Sequence, residues 1–197
     1  MILDQLKSRT AANHASLERR LHITRTEPTL VDYGSYLSAM YGFTAPLEVG
    51  FQRLPLALTE ELELGLRLKA RLLAQDLARL DVRLGRVVSA DVCEQLPAND
   101  SPARTLGTLY VLEGSTLGAR YLLRHLQPLA IEDCSSYLSS YGDSLGSMWE
   151  KMRAVLVRHA EVHPEQQPDL IDAALQTFET LDAWFVRCGA AEASHAS

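Results

Sequence analysis

The chain predicts an all-α fold, and three observations carry that reading. Apolar residues recur at three- and four-residue intervals along most of the 197 residues, as a helix of 3.6 residues per turn requires of its buried face. No stretch alternates apolar and polar side chains, and the β-branched residues never cluster, so no segment reads as a strand. Helix punctuation falls between the periodic runs: Thr29, Ser101-Pro102, Pro164, Pro168 and Gly189.

The first element spans residues 3 to 22, with an inward stripe of Leu6, Thr10, His14, Leu17 and Leu21. His14 is therefore expected to point inward. An inward histidine is ordinarily a hydrogen-bonded core residue, but Glu18 stands one turn further along the same face. A carboxylate that holds one imidazole nitrogen leaves the other, made more basic, to bind a metal axially.

Glu27-Pro28-Thr29 breaks that helix, and Thr29 can cap a second one carrying Leu30, Tyr33, Leu37, Met40, Leu47 and Phe51. Gly42 and Pro46 should kink it. A third helix is expected from about Glu60 to Leu80, with Leu66, Ala70, Leu73, Leu77 and Leu80 inside and the arginines outside. Asp81 to Asp100 is less periodic and ends in the loop Pro97-Ala98-Asn99-Asp100.

Ser101 and Pro102 then open an apolar run that Pro128 closes, predicting one long buried central helix. At about 1.5 Å per residue it would extend on the order of 37 Å. Three glycines inside it each cost roughly 1 kcal/mol relative to alanine, so a compensating use is expected. Gly107, Gly114 and Gly118 are spaced by seven and four, which stacks them on one face around Tyr110 and Val111. Either another helix packs closely there, or something broad and flat lies against bare backbone. Ser115 can offer its hydroxyl to a carbonyl one turn back, and Gly-Ser pairs favour kinks.

Beyond Pro128, Ser135 to Gly146 suits a turn or broken helix. Trp149 to His159 resumes helical spacing, with Trp149, Met152 and Leu156 inward and Lys151 and Arg153 available to anions. Pro164 and Pro168 open a last helix with the stripe Ile171, Ala174, Leu175, Phe178, Leu181 and Phe185. Residues 1–189 are expected to form one domain and 190–197 a frayed tail.

Composition bounds the function. With 47% hydrophobic and 22% charged residues the chain has the make-up of a soluble globular domain. Its net charge of −6 offers no basic footprint for nucleic acid or an anionic membrane. No apolar run reaches the length of a membrane span, and the N-terminus lacks a signal peptide's apolar core. Cys93, Cys134 and Cys188 are widely spaced and odd in number, which fits a reducing cytoplasm and excludes a paired metal-binding knuckle.

Two stretches resemble the heme oxygenase family, and most closely its bacterial members that accompany bacteriophytochromes. Leu6-Lys7-Ser8-Arg9-Thr10-Ala11-Ala12-Asn13-His14-Ala15-Ser16-Leu17-Glu18 is similar to the proximal helix, where a threonine precedes the axial histidine by four and a glutamate follows it by four. Leu109-Tyr110-Val111-Leu112-Glu113-Gly114-Ser115-Thr116-Leu117-Gly118 is similar to the distal helix, whose glycines let backbone close over the heme. The resemblance implies a single-domain helical bundle holding heme b between the N-terminal proximal helix and a kinked distal helix. His14 would be the metal ligand and Glu18 its orienting partner, with Gly114, Ser115 and Gly118 as the catalytic wall. Lys7 occupies the family's propionate-facing position, while Tyr110, Lys151 and Arg153 are further cofactor-binding candidates placed by helix phase and charge.

The implied reaction uses heme as cofactor and substrate, with O2 and electrons from a separate donor such as ferredoxin or a flavoprotein reductase. It yields biliverdin, ferrous iron and carbon monoxide, for a bacteriophytochrome or for iron supply. Ser115 stands where some members place a carboxylate that organises a water chain, and a hydroxyl is a poor proton source. A non-catalytic heme-binding protein of the same fold and a helical interaction domain are the alternatives. A di-iron carboxylate oxidase would need paired Glu-x-x-His motifs, which the sequence lacks.

Overall fold

The computed structural model describes residues 1–85 and 91–193. Its described residues are helical with no strand; the one β contact is an isolated bridge between Leu21 and Ala191. The core is built on α9 (Gln167–Arg187), against which both α1 (Ile2–Arg20) and α6 (Pro102–Ser115) pack. No described helix is long and apolar enough to cross a membrane.

Helix α2 (Leu30–Phe51) begins as the sequence predicts. Asp32 N–H donates to Thr29 Oγ1 at 3.1 Å, and Thr29 N–H donates to the Asp32 carboxylate at 2.8 Å, a reciprocal cap. It runs unbroken past Gly42 and Pro46. Pro46 has no N–H for the Gly42 carbonyl, and the Cys93 N–H supplies the bond instead at 2.9 Å. A Cβ at Gly42 would overlap the Asp91 carbonyl oxygen and come within 2.9 Å of the Trp184 ring. Gly42 thus admits a neighbouring strand of backbone, and the missing proline bond is repaired by that same segment.

The expected helix from Glu60 to Leu80 is three pieces: α3 (Leu56–Leu62), α4 (Leu64–Arg67) and α5 (Ala70–Leu84). Glu63 adopts φ +50°, and Leu68 is extended. The second break is held by Glu48 of α2, whose carboxylate accepts the N–H groups of Lys69 and Ala70 and so caps α5 from outside. The breaks change which residues face inward. Leu66, expected inside, is exposed, whereas Arg67, expected outside, is buried, as is Lys69.

The central run is also not one helix. Helix α6 ends at Ser115, a 3₁₀ turn covers Thr116–Gly118, and α7 runs from Ala119 to His125. Two hydroxyls help to end α6: Ser115 Oγ donates to Leu112 O at 2.7 Å and Thr116 Oγ1 to Glu113 O at 2.6 Å. Where a Gly-Ser kink within one helix is expected, the helix stops instead.

Short turns lead from α7 to α8 (Leu145–Val162). Buried Asp76 pins them by accepting the N–H groups of Ser136 (3.0 Å) and Tyr137 (2.7 Å). At the C-terminus Gly189 takes φ +65° and reverses the chain. The next residues are not frayed: Ala190 and Ala191 are buried, His22 N–H donates to Ala190 O at 2.9 Å, and Glu192 N–H donates to Arg20 O at 3.0 Å. The remainder of the expected tail, 194–197, lies outside the described residues.

Candidate functional site

Helices α1 and α6 both pack on α9 and approach each other at Thr10 and Tyr110. The Tyr110 hydroxyl of α6 lies within hydrogen-bonding reach of Thr10 of α1, and its acidity is reduced by burial. Thr10 is itself buried, and its Oγ1 donates to Leu6 O at 2.8 Å. One turn beyond Thr10 on the same face stands His14, and one turn beyond Tyr110 stands Gly114.

His14 is not the inward residue expected. Its side chain is 51% exposed, with Nδ1 3.3 Å from Glu18 Oε2 and one ring edge turned to Phe178 of α9 at 5.9 Å between centroids. The expected stripe ends sooner than its spacing suggests because α1 stops at Arg20. The Glu18 contact engages one ring nitrogen and orients the other away from it.

The three glycines divide. Gly107 is a packing glycine: an added Cβ would overlap the Leu170 carbonyl oxygen and stand 2.9 Å from Ala173 Cβ. Gly114 and Gly118 are open. A Cβ at Gly114 would touch only the edge of Trp149 at 3.8 Å, and one at Gly118 would meet nothing within 4 Å. The helix end therefore presents a strip of backbone without side chains, flanked by exposed Ser115, Leu117 and Tyr121.

The cationic candidates do not converge. Lys7 is exposed on α1. Lys151 and Arg153 lie two positions apart on α8, on opposite sides of the helix. Lys151 is paired with Glu63 at 2.6 Å, whereas Arg153 lies one turn beyond Trp149 on the face that meets Gly114. The Tyr110 ring lies tilted at 39° to that of Trp149, with centroids 5.8 Å apart.

Behind the strip lies a buried ionic cluster that the periodicity did not disclose. The Glu113 carboxylate pairs with Arg67 of α4 and accepts the Tyr141 hydroxyl at 2.7 and 2.8 Å. Arg67 also donates to Leu62 O at 2.5 Å and to Met148 O at 3.1 Å, so five segments meet at one charge pair. Lys69 Nζ stands 3.5 Å over the Tyr141 ring and donates to Leu66 O. Burial lowers the Lys69 ammonium to about 8, against the opposing pull of Glu113. Burial and the Glu113 charge push the Tyr141 hydroxyl well above its ordinary value. A cavity of about 20 Å³ adjoins the cluster, room for one water, and the buried, unpartnered Thr44 Oγ1 lines it. The available signal was one glutamate inside an otherwise apolar run, which must find a partner when buried.

A family model described as heme oxygenase matches residues 1–187. The chain belongs to the heme oxygenase family. Its all-α architecture agrees with that membership, and the family points to heme binding and degradation. No curated protein and no solved structure matches the chain. The residues present fit heme in kind: the accessible His14 imidazole, backed by a carboxylate, has the chemistry that could hold the iron, and the backbone at Gly114 and Gly118 is left open. A larger cavity of about 250 Å³, between α7 and the 138–145 segment, contains neither His14 nor the open glycines.

Proposed function

We propose that this heme oxygenase family member opens heme oxidatively to biliverdin, releasing iron and carbon monoxide. The observation that carries the reading is that two features stand open on helices that approach each other at Thr10 and Tyr110: the half-exposed His14 imidazole, 3.3 Å from Glu18, and the side-chain-free backbone at Gly114 and Gly118. Heme, when bound, supplies both the iron that takes up oxygen and electrons and the carbon ring that is cut.

The chain's own residues do the rest. His14 would hold the iron through its free ring nitrogen, and Glu18 would keep the ring's orientation. Gly114 and Gly118, without Cβ atoms, would let backbone approach the bound group closely and confine a small ligand. The Ser115 hydroxyl is spent on Leu112 O, so it serves as an acceptor that orients water, not as a proton source. Lys7 and Arg153 are the rim cations for the propionates; Lys151 reaches them only by releasing Glu63. O2, a ferredoxin or flavoprotein donor, a cytoplasmic setting and a bacteriophytochrome as recipient of the bilin complete the proposal.

Anaerobic titration with hemin, followed by reductant and air, tests it. The expected result is stoichiometric binding with a histidine-ligated spectrum lost in His14→Ala, then decay of the Soret band and growth of biliverdin absorbance. Binding without bilin would leave a heme-binding protein of the same fold. Hemin remaining free would favour a helical interaction domain.

A further inference from the structure

The open strip is placed from one side only. Gly118 has no neighbour within 4 Å of a built Cβ, and Gly114 has one ring edge at 3.8 Å. What fixes the backbone there must therefore act from behind, and the residue next to Gly114 is Glu113. Its side chain is 4% exposed and reaches away from the strip to Arg67, whose side chain is fully buried. Tyr141 closes the carboxylate from a third direction, and the Glu113 carbonyl takes the Thr116 hydroxyl that helps to end the helix.

We propose that Glu113 is a positioning residue, a buried strut that Arg67 and Tyr141 hold in place and that thereby sets how far the Gly114–Gly118 backbone stands from the His14 side. It touches nothing in the slot itself. The geometry makes the strut stiff, because Arg67 is anchored to α3 through Leu62 O and to α8 through Met148 O. Loss of the charge or of one bond would let the end of α6 relax by a fraction of an ångström. A displacement of that order at a reacting centre is felt steeply.

The inference rests on the heme reading, and its test keeps the two apart. The full chain is loaded with ferric hemin, and azide affinity is measured by absorbance, because azide fits only in the gap between the iron and the strip. Glu113→Gln is expected to bind hemin through His14 and to shift azide affinity about tenfold, the scale on which outer-shell partners act. Tyr141→Phe should shift it in the same direction by about threefold, since one hydrogen bond is lost. Trp184→Phe, which breaks the buried bond to Ala39 O far from the strip, is the control for lost stability alone.

Should Glu113→Gln fail to fold, Tyr141→Phe decides the matter. Lowered melting temperatures with wild-type azide affinity in the folded variants would overturn the inference and leave the heme reading intact. A wild-type chain that leaves hemin free would overturn both.

Discussion

The two sides of the candidate slot are built on opposite principles. The His14–Glu18 contact is solvent-facing, with side chains 51% and 59% exposed. Such a pair contributes about 0–1 kcal/mol and is screened by salt. The Arg67–Glu113–Tyr141 cluster behind the other side is buried and satisfied from several segments. Its charges cost much to desolvate, and breaking it leaves one of them stranded. On the proposed reading, the His14 side would accept and orient a ligand with little resistance, while the Gly114–Gly118 side is braced before any ligand arrives. Adaptability and preorganisation sit on different helices.

Five substitutions sharpen or break that contrast. Glu113→Ala, which strands Arg67, is expected to lower the unfolding free energy by about 3–5 kcal/mol, seen as a fall in the urea midpoint at constant slope. Gly107→Ala should cost about 1–3 kcal/mol through overlap with α9, read in the same way.

Alkaline stability gives the third. Burial holds Lys69 at about 8 beside Arg67, Glu113 and Glu48, below its value in the unfolded chain. The unfolded state then binds more protons between about pH 8 and 10.4, so stability rises with pH across that window. The gain is at most about 2 kcal/mol, and Lys69→Met should abolish it in urea titrations at pH 8 and 10. Above about pH 10 the trend reverses, because the folded state keeps protons on tyrosines such as Tyr137, pushed up to about 12.

Gly118→Ala carries the opposite sign. Nothing stands in the way of its Cβ, so the ligand-free chain should gain about 0.5–1 kcal/mol while its hemin affinity falls. Equal destabilisation by Gly107→Ala and Gly118→Ala would erase the distinction between packing and open glycines. Smallest of all, His14→Ala should move the urea midpoint by no more than about 0.5 kcal/mol yet remove axial ligation of added hemin.

Helix punctuation was the most legible part of the sequence. Thr29, Ser101, Pro102 and Gly189 act where residue chemistry alone places them, since caps and turns depend on a few neighbouring atoms. Burial was legible wherever a helix ran straight, as along α9, where Ile171, Ala174, Phe178, Leu181 and Phe185 are all buried. It failed at tertiary caps. Glu48 caps the start of α5 from twenty-one residues away, and the breaks at Glu63 and Leu68 shift the helix phase so that Arg67 faces inward. A shared helix face likewise made Gly107 resemble Gly114 and Gly118, although α9 occupies only the first. His14 stands on the predicted face, but the slot beside it is open, and periodicity reports the face of a helix without reporting whether that face is covered.

The pairing of Arg20, Leu21 and His22 with residues 190–192 has a consequence during biosynthesis. Helix α1 is made long before its packing partner α9 and the residues that close it. The helix that bears His14 therefore cannot dock until those later residues have left the ribosome. A nascent chain that stops short of them carries α1 without the surface on which it packs.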